Sequence, residues 1–269
     1  MFSLEFLEYG FMLRALGLGA LIAVAAAMVG TSLVLRKNSM IGDGLSHVAF
    51  GAFVVATILQ MAPIEFALPV VTATSVIILR SKQRLIQNDA MIAILSASAL
   101  AIGTFLLSVT KGVNTDMNNY LFGSILAIKS AELWMGSVLL LVVVGLYVVA
   151  HRHIFALTFD EEFAHSTGVN VTFYDTLFAV ICSVIIVLGM RLVGALLISS
   201  LLIFPAVTAM QVAKTYNHVV IFAIIFAVIS FIAGLMLSFN FNTPTGASIV
   251  IVNLAALLLT RCVVKLKRW

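Results

Sequence analysis

The sequence predicts an all-α membrane protein, a polytopic helical bundle of about nine spans. Three observations predict it. Of the 269 residues, 62% are hydrophobic and only 10% are charged, against roughly 25% charged in an ordinary soluble domain. The mean hydropathy is +1.19. The apolar residues fall in runs of the length a bilayer demands, about 20 residues per helix, with basic residues gathered in alternate connections. Lipid is then the solvent for most of the surface. No polar stretch approaches the ~100 residues that a separate soluble catalytic domain needs, so residues 1–269 are expected to form a single transmembrane domain.

The runs lie near 11–35, 41–61, 64–79, 90–110, 133–150, 173–190, 192–212, 218–239 and 245–262. The third is short and little divides the pair around Arg191, so eight or ten spans are the alternatives to nine. Glu5 and Glu8 precede the first run without an early Lys or Arg. That is the wrong charge for a cleaved signal peptide, and the first run is expected to be a retained span. Alternation then puts Arg36, Lys37, Arg80, Lys82, Arg84, Arg152, Lys214, Arg261, Lys265, Lys267 and Arg268 on one side, and Arg14, Lys111, Lys129 and Arg191 on the other. The positive-inside rule makes the first side cytoplasmic, with the N-terminus outside and the C-terminus in the cytoplasm. The net charge of +4 is too small and too scattered for a nucleic-acid partner.

Gly19, Ala23 and Ala27 are spaced by four and line one helical stripe, the pattern that lets helix backbones approach closely in lipid. Cys182 and Cys262 both lie in apolar runs and are expected to be buried packing residues, with neither a disulfide framework nor a thiolate metal site.

A charge inside a span costs several kcal/mol and needs a reason. Asp43 and His47, in Gly42-Asp43-Gly44-Leu45-Ser46-His47, are four residues apart. On a helix they share a face with Cβ atoms about 6 Å apart. A carboxylate oxygen and an imidazole nitrogen at that spacing can grip one divalent cation; zinc accepts the mixed set, and manganese or iron tolerate it. Two plainer roles stay open: a carboxylate at the positive end of a helix dipole, and a hydrogen bond between the two side chains. Glu65, just after Pro63, reads as an exposed helix-start acid. Asn114, Asp116, Asn118 and Asn119 form a polar loop before Tyr120-Leu121-Phe122-Gly123, and the stretch on to Ile128 has the length of a partial helix dipping into the membrane. Arg191 is expected to snorkel to the outer interface. Asn240 and Asn242 precede Thr243-Pro244-Thr245-Gly246, a turn signal.

The largest cytoplasmic connection is expected from His151 to Asp175. Within it, Asp160, Glu161 and Glu162 can begin a short helix that Gly168 ends. Such a helix is a plug for another protein or a solvated loop; composition does not choose. Neither H-E-x-x-H nor the spaced glycine of a G-x-G-D protease is present. A G-x-x-x-x-G-K-[ST] loop is missing too, so ATP binding of that kind is excluded from this chain.

Five blocks carry a resemblance: Gly42 to His47; Tyr120-Leu121-Phe122-Gly123-Ser124-Ile125; Phe159-Asp160-Glu161-Glu162-Phe163-Ala164 with Gly168; Val193 through Ala206; and Thr243-Pro244-Thr245-Gly246. In that order, from about residue 11 to residue 262, the chain resembles the permease subunit of zinc- and manganese-type metal-ion ABC importers. The resemblance implies a fold similar to cobalamin- and siderophore-importer permeases, with two copies around a central pathway in a bacterial plasma (inner) membrane. It implies Asp43 and His47 as metal ligands. It implies a coupling segment at about 159–168, with Phe159, Asp160, Glu161, Glu162, Ala164 and Gly168 meeting a cytoplasmic ABC ATPase. An extracellular or periplasmic metal-binding protein would deliver the ion. The chain itself would be no enzyme and hold no covalent cofactor; the partner would spend the ATP, and the cargo would be zinc first, with manganese or iron as alternatives. A gradient-driven secondary metal transporter is the rival expectation.

Overall fold

The computed structural model describes residues 10–80, 88–110 and 130–267. Glu5, Glu8, Lys82, Arg84, Lys111, Lys129, Arg268, the Asn114–Asn119 loop and the expected dipping segment at 120–128 lie outside the described residues. The described chain folds into ten helices: α1 (Gly10–Leu35), α2 (Met40–Ile58), α3 (Pro63–Arg80), α4 (Asn88–Val109), α5 (Ser130–Phe159), α6 (Glu161–Ser166), α7 (Val171–Val193), α8 (Ala195–Val212), α9 (Tyr216–Phe241) and α10 (Thr245–Lys267). All but the short α6 are long and apolar enough to cross a membrane, which gives nine candidate spans among the described residues.

Helices α1, α2 and α7 form the interior. Helix α1 packs on α5, α7, α8 and α9; α2 packs on α3, α4, α7 and α8; α8, α9 and α10 pack on one another. Helix–helix association in lipid relies on close packing rather than on the hydrophobic effect. The small-residue stripe of α1 serves that purpose: Ala23 and Ala27 are fully buried, and Gly19 lies directly under the ring of Phe231 in α9. Further along, Gly30 meets the backbone carbonyl of Leu202 in α8 with no space for a Cβ.

The polar atoms that α1 carries inward are satisfied by side chains from other helices. Ser32 Oγ lies 3.0 Å from the Tyr147 hydroxyl and 2.8 Å from the Tyr216 hydroxyl. The two tyrosine hydroxyls are 3.0 Å apart, and Tyr147 donates to the Met28 carbonyl at 2.9 Å. This triangle pins α1, α5 and α9 together at a level where an unpaired hydroxyl would be costly.

Turns are built from local hydrogen bonds. After α1, Lys37 takes a left-handed conformation (φ 60°). Its N–H bonds to the Val34 carbonyl, and the Asn38 N–H reaches back to Leu33, a Schellman arrangement. Asn242 (φ 51°) ends α9 in the same region of backbone space, and the Thr243-Pro244 turn follows as the sequence predicts.

Two expectations need correction. The fifth span does not stop near residue 150. Helix α5 runs on through His151, Arg152 and His153 to Phe159, its two histidines packed against side chains of other helices. His151 Nε2 lies 2.9 Å from Asn217 Oδ1, and His153 stacks on Tyr174, while Ile154 and Leu157 stay buried between them. Asp175 accordingly belongs to α7 rather than to a connection. The second correction is Cys262, which is exposed, whereas Cys182 is buried. Helix α10 lies on the periphery, with Leu258, Leu259, Val263 and Leu266 also turned outward. An apolar run does not distinguish a side chain facing protein from one facing lipid.

The Gly30 approach yields a test. Gly30→Ala places a methyl group on the Leu202 carbonyl, an overpacking expected to cost about 1–3 kcal/mol. Gly17 has open space around its Cα, so Gly17→Ala is the matched control and is expected not to lower stability. Thermal unfolding of the detergent-solubilised variants measures both; equal melting temperatures would refute the packing assignment.

Candidate metal site

Asp43 occupies the first turn of α2 and His47 the second. Asp43 Oδ2 and His47 Nε2 face each other at 3.7 Å, with the histidine side chain 21% exposed and the aspartate 47%. That separation is long for a hydrogen bond but within reach of an ion pair. It does suit a shared ion, since zinc sits about 2.0–2.2 Å from such oxygen and nitrogen donors.

Met40, Asp43 and His47 fall on one stripe of α2, and all three are open to some degree. One turn further along the same stripe Gly51 is buried where α4 lies across it: a Cβ there would stand 2.8 Å from the Ala99 carbonyl oxygen.

A third group comes from α8. The Ser199 hydroxyl lies 3.3 Å from Asp43 Oδ1 and 3.0 Å from the Ala195 carbonyl, so its single proton is shared between two acceptors. With Oδ1 turned toward Ser199, Oδ2 is the carboxylate oxygen left facing His47. Sequence reasoning placed Ser199 inside the 193–206 block but gave it no role. A mid-helix serine ordinarily bonds back to its own helix, and only the fold brings Asp43 beside it. His47 Nδ1 is buried without a hydrogen-bond partner. Among the described residues, no three His, Cys, Asp or Glu side chains converge on one point.

The expected coupling segment forms its helix as predicted. Asp160 is the N-cap of α6, its Oδ1 accepting from the Phe163 N–H at 2.9 Å. Gly168 (φ 84°) closes the helix, with its own N–H bonded to His165 and the Val169 N–H to Ala164. A side chain with a Cβ would be strained at that φ. Glu161 and Glu162 stand in the first turn. Phe159 and Phe163 are 60% and 61% exposed, whereas Ala164 is fully buried. Ala164 thus seats α6 on its neighbours and does not face outward. Phe163 is the outward-facing aromatic of α6 itself, and an aromatic residue in an acidic run is the signal that could have singled it out.

Helix α6 shares one face of the bundle with the basic connections. The Arg36 side chain bonds to Thr158 and Asp175 on either side of it, and Arg80 bonds to Thr172 and Thr176 at the start of α7. Arg191 lies at the other end of α7, half-buried in its last turn. Glu65 is exposed in the first turn of α3.

Known proteins share this chain's sequence and shape over most of its length. It is 32% identical over 239 residues to the high-affinity zinc uptake system membrane protein ZnuB of Haemophilus influenzae, covering 88% of this chain and 91% of that protein. It is 28% identical over 251 residues to the manganese transport system membrane protein MntC of Listeria innocua, covering 91% and 88%. Among solved structures, PsaBC from Streptococcus pneumoniae in complex with Fab includes a chain that superposes with a TM-score of 0.85 at 28% identity, over 95% of this chain and 92% of that one. The ABC 3 transport family matches from residue 8 to residue 264. A helical bundle with nine candidate spans, matched to that family along nearly its whole length, makes this chain a membrane-embedded member of the ABC 3 transport family.

Proposed function

We infer that this chain is the permease subunit of an ATP-driven importer of divalent metal ions, and that Asp43 and His47 hold the ion in transit. The observation that carries this is the 3.7 Å gap between Asp43 Oδ2 and His47 Nε2, at an open stretch of an interior helix. The relatives named for zinc and for manganese support the substrate class.

Two donors are too few to hold an ion tightly. A second copy of the chain would bring a second Asp–His pair, and four mixed oxygen and nitrogen donors suit tetrahedral zinc. Manganese would retain water in a more oxygen-rich shell. Zinc is therefore the first substrate of this reading and manganese or iron the second. The unpinned Nδ1 of His47 makes it an adjustable ligand, which suits a site that has to release its cargo.

The face carrying α6 and the described basic connections is the cytoplasmic one under the positive-inside rule. Helix α6 would sit in a groove on an ABC ATPase, with Phe159 and Phe163 as apolar anchors and Glu161 and Glu162 at the rim. ATP hydrolysis in that partner would rock two permease copies between outward and inward openings. A metal-binding protein outside would supply the ion.

Three outcomes are expected. In a deletion strain grown under metal chelation, Asp43→Ala reduces metal uptake by at least about a hundredfold, more than is usual for losing an outer-shell partner of a ligand, while the amount of chain in the membrane stays constant. Normal uptake by that variant would overturn the ligand assignment, and the metal that rescues the wild type identifies the substrate. Ser199→Ala leaves both ligands in place and raises the half-saturating metal concentration about fivefold, the worth of one hydrogen bond near 1 kcal/mol; an unchanged value would leave Ser199 without a role. Phe163→Asp weakens co-purification of the ATPase by about thirtyfold, as expected for loss of a buried aromatic anchor worth ~2 kcal/mol. Undiminished co-purification would show that α6 is not the docking element.

A further inference from the structure

The first two turns of α7, immediately after α6, are gripped from three directions. Arg36 at the end of α1 pairs with Asp175, Nη1 to Oδ1 at 2.9 Å, and the two side chains are only 10% and 12% exposed. The same guanidinium donates from Nε to Thr158 Oγ1 at 3.3 Å and lies 4.8 Å from the centre of the Phe178 ring. Arg80 of α3 donates to the Thr172 carbonyl at 3.1 Å and to the Thr176 hydroxyl. His153 of α5 stacks on Tyr174, with ring centres 4.2 Å apart and planes 8° from parallel.

Arg36 differs from the other two in what it connects. Thr158 lies two residues before Asp160, and Asp175 follows α6 in α7, so Arg36 holds both flanks of that helix. It also starts the short turn 36–39 that leads into α2, with Asp43 seven residues beyond it. The turn is stiff, being closed by the Schellman bonds at Lys37 and Asn38 and by a bond from Ile41 N–H to the Asn38 carbonyl at 3.1 Å. Movement of α6 thus has a short path to the metal ligands, through one side chain and one rigid turn.

A purely structural pin needs no such arrangement. A buried ion pair seldom stabilises more than a well-packed apolar contact would. This one is also incomplete, because Arg36 Nη2 is buried with no hydrogen-bond partner. A guanidinium with a spare buried donor is set up to exchange partners, and an element with two discrete arrangements is what carries coupling between distant sites.

We propose that Arg36 is a positioning residue that transmits displacement of α6 to the α1–α2 turn, and so to Asp43, through its joint hold on Asp175 and Thr158. This rests on the reading of α6 as the ATPase-facing helix and of Asp43 as an ion ligand.

The test is the metal moved per ATP hydrolysed, measured on the complete transporter, permease with its ATPase and delivery protein, in proteoliposomes supplied with zinc or manganese. Arg36→Gln is expected to lower that ratio by about tenfold, within the usual range for coupling between two sites, while ATP hydrolysis stays near the wild-type rate. Arg36→Lys keeps the charge opposite Asp175 without the second reach to Thr158, and is expected to lower the ratio less. It serves where the glutamine variant fails to fold. Exchanging the pair, Arg36→Asp with Asp175→Arg, is expected to recover part of what either change loses alone. An unchanged ratio, or transport and hydrolysis falling in the same proportion, overturns the proposal while leaving the importer reading intact. A wild-type complex that moves no metal with ATP overturns that reading and the proposal with it.

Discussion

The position of Asp43 depends on how closely the α1–α2 hairpin is drawn against α8. Gly30, before the turn, meets the carbonyl of Leu202, and Gly42, after it, would set a Cβ 2.6 Å from the Leu202 Cδ1. One residue of α8 therefore lies in the cleft between the two arms of the hairpin. Ser199 stands three residues earlier on α8, on the same face by helical geometry, and so arrives beside Asp43. In lipid there is no solvent to force this contact. It forms because glycine lets backbone meet backbone and dispersion forces act over a long seam. A side chain at 30 would push α8 away and separate the serine from the carboxylate, whereas one at 42 would have to displace the end of the Leu202 side chain.

Polar chemistry in the bundle follows from that packing. At the end of α1 the chain has brought Ser32 and Arg36 inward, and neither can be left alone in a low-dielectric interior. The hydroxyl of Ser32 is met by two tyrosines from α5 and α9, and the guanidinium by Asp175 and Thr158. The first set leaves its hydroxyls paired with one another and with a backbone carbonyl. The second leaves Nη2 over. The two lie within about one helical turn of each other on α1, by the 3.6-residue period, yet one is a closed network and the other an open one. A closed network rigidifies the place where it sits; an open one permits rearrangement.

Much of this was legible in the sequence. Nine apolar runs became nine candidate spans because each run is bounded by charge or by a turn signal, and those survive folding. The i,i+4 spacing of Asp43 and His47 was enough to place them on one face, since both lie well inside one helix. The short helix at 161–166 was visible because Asp160 and Gly168 carry their structural roles in their own chemistry, a cap and a left-handed closure. What stayed hidden required tertiary context. His151, Arg152 and His153 read as the start of a loop because their partners, Asn217 and Tyr174, lie elsewhere in the sequence. Ser199 carried no role in the sequence for the same reason, since only the fold brings Asp43 beside it. Cys262 read as buried because hydropathy registers the absence of water and is silent on whether lipid or protein replaces it.

The site also shows a tension between holding and releasing that its geometry resolves. A structural zinc site closes four ligands around the ion, each fixed by a further hydrogen bond, and gains folding energy from it. On the proposed reading Asp43 and His47 would be two ligands, one of them almost half exposed. Among the described residues only the aspartate has a hydrogen-bonding neighbour beyond the pair, and that serine divides its proton between the carboxylate and its own helix. Each departure from the structural pattern lowers affinity at this point of the chain. For a resident cofactor that would be a defect. For a cargo in transit, as proposed, it would shorten the stay and leave the depth of the well to be set from outside the pair. The turn that launches α2 is the part of the chain best placed to set it, because it fixes where Asp43 stands relative to α8.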